Sequence, residues 1–139
     1  MIDFHYLTDF QIEDELQFID WINRIIRSEA SSIGQLDFIF CNDEYLLKVN
    51  QEYLEHDTYT DIITFPYSEG DLVSGDIFIS VERVADNANT YGEDFIAELR
   101  RVMAHGLLHM LGYGDKNDEE SQVMRKKEDE KIKLFHVEH

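Results

Sequence analysis

The sequence predicts an α/β domain of the mixed α+β kind, in which helices cover a small mixed sheet of about four strands. Segments with apolar residues three or four apart alternate with short β-branched and aromatic runs, and turn residues separate them. The 139 residues contain one proline and neither a Gly/Ser-rich linker nor a repeat of fixed period. A single domain over residues 1–139 follows, because 43% hydrophobic and 12% aromatic residues supply a core that needs no disulfide staple.

Residues 11–29 carry Ile12, Leu16, Ile19, Trp21, Ile22, Ile25 and Ile26 at the spacing of an amphipathic helix. Leu36 to Cys41 reads as a strand, with Cys41 expected to be a plain buried thiol at the end of an apolar run. Asn42-Asp43 then caps a helix reaching about Tyr53. Strands are expected at Asp61 to Phe65, stopped by Pro66, and at Gly75 to Val81. A helix from Glu82 to Asn89 breaks at Tyr91-Gly92, and a stronger one runs from Asp94 to Leu111 before Gly112 ends it. A charged helix fills Asp118 to Leu134, with Asp118 a candidate cap, and the acidic tail at about 135–139, with His136 and His139, is expected to be disordered.

Thirty acidic against 12 basic residues give a formal net charge of −18, which repels a nucleic-acid backbone at long range. Local cationic patches remain at Arg100 and Arg101 and in the run Arg125, Lys126, Lys127, Lys131 and Lys133. Interleaved with Glu128, Asp129 and Glu130, that run reads as a solvated helix face. One cysteine cannot form an internal disulfide, and no signal peptide or membrane span is recognisable, so a cytoplasmic location is expected.

Chemistry concentrates between His105 and Asp115. Residues four apart share a helix face, so His105 and His109 can present two imidazole nitrogens to one metal ion. At about 100° per residue, Ile96, Leu99, Met103, Leu107 and Met110 fall on one side and Glu98, Arg101, His105 and His109 on the other. Gly112 can take a left-handed conformation that folds the chain back and brings Asp115 alongside the histidines. The spacing His-x-x-x-His-x-x-Gly-x-x-Asp has the frame of the metzincin zinc site, with Asp as third ligand. Three ligands leave a position for water, as in catalytic zinc sites. The metalloprotease pattern places Glu after the first His, and here that residue is Gly106, which weakens a peptidase reading.

His105 to Tyr113 spells His-Gly-x-Leu-His-x-x-Gly-Tyr, and this signature resembles that of the YbeY family of rRNA-maturation endoribonucleases. Asn50-Gln51-Glu52-Tyr53, Thr60 to Pro66 and Gly75 to Ser80 are similar to other blocks of that family, in the same order, so the likeness spans roughly residues 36 to 115. The resemblance implies a compact α/β fold, one zinc ion per chain and single-strand-specific RNA cleavage in the maturation of 16S rRNA 3′ ends and in small-subunit quality control. Ribosomal RNA and the small subunit or its proteins are then the expected partners. Two departures stand out: Asp115 replaces the third imidazole of the family's Gly-Tyr-Asp-His ending, and Leu54 stands where the family carries Arg.

The expected catalytic set is His105, His109, Arg101 and Glu98, and the expected substrate contacts are Arg101, Asp76 and His56. Zinc would act as Lewis acid or activate water, with Arg101 balancing charge. The general base stays open among Glu98, His56, Asp76 and the RNA 2′-hydroxyl. Two rivals remain: a ribosome-assembly factor with a structural zinc, and a minimal peptidase that lays its substrate along the strand Gly75 to Val81.

Overall fold

In the computed structural model, which describes residues 1–56 and 58–135, the chain alternates strands and helices. The order is β1 (Ile2–Tyr6), α1 (Glu15–Ser28), β2 (Ser32–Cys41), α2 (Asp43–Leu54), β3 (Ile62–Pro66), β4 (Leu72–Ser80), α3 (Val81–Tyr91), α4 (Phe95–Met110) and α5 (Asp118–Ile132). The four strands form one mixed sheet in the order β1-β2-β4-β3, with β1, β2 and β4 parallel and β3 antiparallel to β4. The expected fold class is the observed one.

Side chains alternate across a strand, and here both faces are covered. Leu36, Phe38 and Phe40 of β2 and Val73, Ile77 and Ile79 of β4 face α1 and α4, and join Trp21, Ile22, Leu99, Met103 and Leu107 in the main core. The other face packs Cys41 and Ile63 against Leu46 and Val49 of α2. Cys41 is a buried thiol, as expected, and burial pushes its pKa up to about 12.

The strand without a sequence assignment is β1. Its alternation of Ile2, Phe4 and Tyr6 with Asp3 and His5 is a period-two signal, and it pairs with β2 from Leu36 to Phe40. The strand placed at Gly75 starts earlier, at Leu72, so Asp76 sits mid-strand. Because β4 is hydrogen-bonded to β2 on one side and β3 on the other, it offers no free edge to a peptide; the edges are β1 and β3. That removes the strand on which the peptidase reading relied.

Helix ends follow local capping, with Asp14 and Asn42 accepting from the backbone N–H of Gln17 and Tyr45. The cap of α5 is Asn117, whose side chain accepts from Glu120 N–H, and Asp118 is the first helical residue. Ile96, placed on the packed side of α4 by periodicity, is 40% exposed because it lies in the first turn, beyond the cover of the sheet. The α5 cation run is not simply a solvated face: Lys131 and Glu128 are buried. Trp21 Nε1–H donates to the Lys131 carbonyl at 2.8 Å and ties α1 to α5. Phe135 packs edge-on against Phe18 and beside Trp21, with the Arg100 guanidinium 3.7 Å from its ring centre, so residue 135, expected in the disordered tail, is packed on the core. His136 and His139 lie outside the described residues. Among the described residues no helix is long and apolar enough to cross a membrane.

Candidate metal centre

Helix α4 lies against β3 and β4 through its small residues and apolar face. A Cβ placed on Gly106 would come 2.6 Å from Ile62 Cδ1 and 3.4 Å from Ile77 Cγ2, so the position after His105 has no room for a long side chain. The glycine brings the helix onto the sheet, and a glutamate base of the metalloprotease kind does not fit there. Gly75 is used in the same way, with Met110 Cε 2.6 Å from where its Cβ would be.

The helix stops in a Schellman motif. Gly112, at φ 102°, donates its N–H to His109 C=O, and Tyr113 N–H reaches Leu108 C=O at 3.0 Å. The turn is anchored by Tyr113, whose hydroxyl donates to Glu29 at the end of α1. Lys127 and Lys131 of α5 close on the same Glu29 carboxylate at 3.3 and 2.8 Å. Burial disfavours the charged carboxylate, but Lys131, Tyr113 and Lys127 outweigh it and hold the Glu29 pKa down to about 2. At Gly114, next in the chain, a Cβ would sit 2.5 Å from Glu120 Oε2, so a larger residue there would have to displace that carboxylate.

The reversed chain delivers Asp115 to the histidines. His105 Nε2 and His109 Nε2 are 2.9 Å apart, and Asp115 Oδ2 is 3.3 and 3.4 Å from them. Tetrahedral zinc with ligands at about 2.0–2.1 Å implies donor separations of about 3.3 Å. The two sides to Asp115 match that separation and the side between the histidines is shorter, and the triangle offers a metal ion two imidazoles and a carboxylate within 4.8 Å of one another.

Glu128 supplies what such a site needs behind its ligands. Its Oε2 is 2.7 Å from His105 Nδ1, and its Oε1 accepts from Arg101 at 3.0 Å. With the proton held on Nδ1, the Nε2 lone pair is free to face the metal. Burial works against an imidazolium at His105, but Glu128, then Asp115 and Asp61, raise its pKa overall. Sequence reading missed Glu128, because its neighbours Lys127, Asp129 and Glu130 are equally charged; the one hint is its position four residues after the buried Met124.

The family model described as Endoribonuclease YbeY matches residues 5–136. The chain belongs to the YbeY family. Relatives named Endoribonuclease YbeY include one from Flavobacterium johnsoniae, 55% identical over 99% of both chains. Another, from Bacteroides thetaiotaomicron, is 43% identical over 83% of this chain and 84% of its own length. A solution structure from Thermotoga maritima superimposes with a TM-score of 0.68 at 25% identity, covering 97% of this chain and 89% of that one.

Within this YbeY fold the other expected site residues are divided among three places. A cleft of about 470 Å³ along β3 is lined by His56, Leu54 and Asp61 together with the three candidate ligands. A second cleft, of about 770 Å³, shares Asp61 and His105 and adds Glu98, Arg101, Arg125 and Glu128. Glu98 is buried, and burial together with nearby Asp61 raises its pKa. Arg101 is committed to Glu128 and to Asp129, at 3.0 and 2.8 Å. Asp76 is on the sheet face opposite α4, since its neighbours Gly75 and Ile77 point at α4, and it accepts from Tyr67 Oη at 3.1 Å. It lines neither cleft.

Proposed function

We propose that the chain is a zinc-dependent, single-strand-specific endoribonuclease of the cytoplasm that matures rRNA, at 16S rRNA 3′ ends and in small-subunit quality control. The convergence of His105 Nε2, His109 Nε2 and Asp115 Oδ2, backed by Glu128 on His105 Nδ1, carries this reading in a chain of the YbeY family. Three protein donors favour a catalytic over a structural zinc, which takes four. An ion held there supplies Lewis acidity toward a phosphodiester oxygen and lowers the pKa of an attacking water.

The chain's own residues divide the remaining work. Glu128 orients His105, and Arg101 acts through Glu128 rather than as a free phosphate clamp. Glu98 can hold a proton in the cleft beside His105, because burial and Asp61 favour its neutral form. A net charge of −18 leaves little long-range attraction for RNA, so the small subunit or one of its proteins supplies basic surface to the complex.

The test is metal content of the purified protein together with cleavage of single- and double-stranded RNA before and after chelation. About one zinc per chain, and a preference for single strands lost on chelation and restored by zinc, is the expected result. Protein without a bound transition metal, or cleavage indifferent to the chelator, would sink the reading.

A further inference from the structure

Among the described residues, the cleft that holds the candidate ligands is lined by no lysine or arginine. Its charged side chains besides the histidines are Asp61 and Asp115, both acidic, and the Thr60 hydroxyl is committed to the Ile62 carbonyl at 3.4 Å. The nitrogens of His105 and His109 face Glu128, each other and Asp115. A phosphodiester entering this cleft therefore meets one further imidazole, that of His56, which comes from the end of α2 rather than from α4.

The His56 backbone is held in place. Glu55 closes α2 in the left-handed conformation at φ 57°, unusual for a residue with a side chain, and so turns the chain sharply at the helix end. The N–H of His56 then donates to the carbonyl of Asn50 at 3.2 Å. The buried Asn50 side chain donates in turn to the Thr58 carbonyl at 2.8 Å. Asn50 thus holds the backbone at His56 itself, by the bond that commonly ends a helix after a left-handed residue, and at Thr58.

We infer that His56 is the substrate-phosphate contact of the metal cleft, with Asn50 as its positioning residue, and that it binds the single-stranded RNA backbone from the α2 side. This rests on the ribonuclease reading above. Neighbouring Leu54 lines the same cleft and offers only apolar contact, while Thr58 and Thr64 add neutral hydroxyls, so among the described lining residues His56 is the one nitrogen base outside the candidate ligands.

The experiment uses the zinc-loaded full chain and a 2′-O-methyl single-stranded oligonucleotide, checked to be intact after each titration, with His56→Ala and His56→Arg compared against wild type by anisotropy. Cleavage of the unmodified strand is measured in parallel. His56→Ala should bind about tenfold more weakly at unchanged zinc content and raise KM for cleavage. His56→Arg should restore affinity and steepen the salt dependence of binding by about 0.7 in log–log slope relative to the alanine variant, as expected for one added phosphate contact on a single strand. Equal affinity of His56→Ala and wild type, or no measurable binding by the wild type, would overturn the inference. So would loss of zinc in His56→Ala, which would make the residue a metal ligand. Binding that depends on His56 with no cleavage by the wild type would instead leave the inference standing and sink the endoribonuclease reading.

Discussion

Glu128 Oε2 lies 2.7 Å from His105 Nδ1, across 23 residues of sequence and from a different helix. The same carboxylate accepts from Arg101, so α5 fixes both the tautomer of one candidate ligand and the orientation of a cation beside it. Glu128→Ala should weaken zinc binding about 10- to 100-fold in a chelator competition, the range seen when such supporting carboxylates are removed. Glu128→Gln, which keeps an acceptor oxygen for Nδ1–H, should lose less. Equal zinc affinity in all three proteins would show that the contact does not support the metal.

Asp115 and Asp118 are distinguishable by variants. Asp115→Ala should lose metal, while Asp115→His should retain it, because an imidazole can donate from the same return loop. Asp118→Ala should keep full zinc occupancy, and its effect on stability should be small, since Asn117 rather than Asp118 caps α5. Metal analysis of the three variants settles the third ligand; full occupancy in Asp115→Ala would place it elsewhere.

Acid stability should be governed in part by Glu29. Its pKa falls from an ordinary 4.5 to about 2 in the folded chain, so the folded state binds the proton less readily than the unfolded one. The associated stability is fully present above about pH 4.5 and is lost as pH falls toward about 2. At about 1.4 kcal/mol per unit it amounts to about 3 kcal/mol. Glu29→Gln should remove that part of the acid limb and leave the buried Lys131 ammonium with only the more distant Glu130 carboxylate at 4.0 Å, lowering stability at neutral pH by a similar amount. Urea midpoints measured between pH 2 and pH 6 check both effects, and parallel acid limbs in the two proteins would refute the assignment.

The histidine pair, Gly112 and Asp115 were legible because their chemistry is local. Helical spacing puts His105 and His109 on one face, and only a left-handed residue lets the chain turn back within three positions. The amphipathic α1 and the apolar β2, β3 and β4 segments were legible for the same reason, since periodicity reports which face is buried. Even β1 carried its signal in the alternation from Ile2 to Tyr6.

Only the tertiary structure decided which charges stand behind the site. Glu128, Glu29 and Lys131 look like any solvated charges in sequence, and their burial follows from α5 crossing α4 and the end of α1. Asp76 and His56 were equivalent candidates until pairing put Asp76 on the far face of the sheet and the Asn50 clasp put His56 in the cleft. Long-range packing chooses the partners of a charged side chain, and the residues flanking that side chain in sequence carry no information about which partners those are.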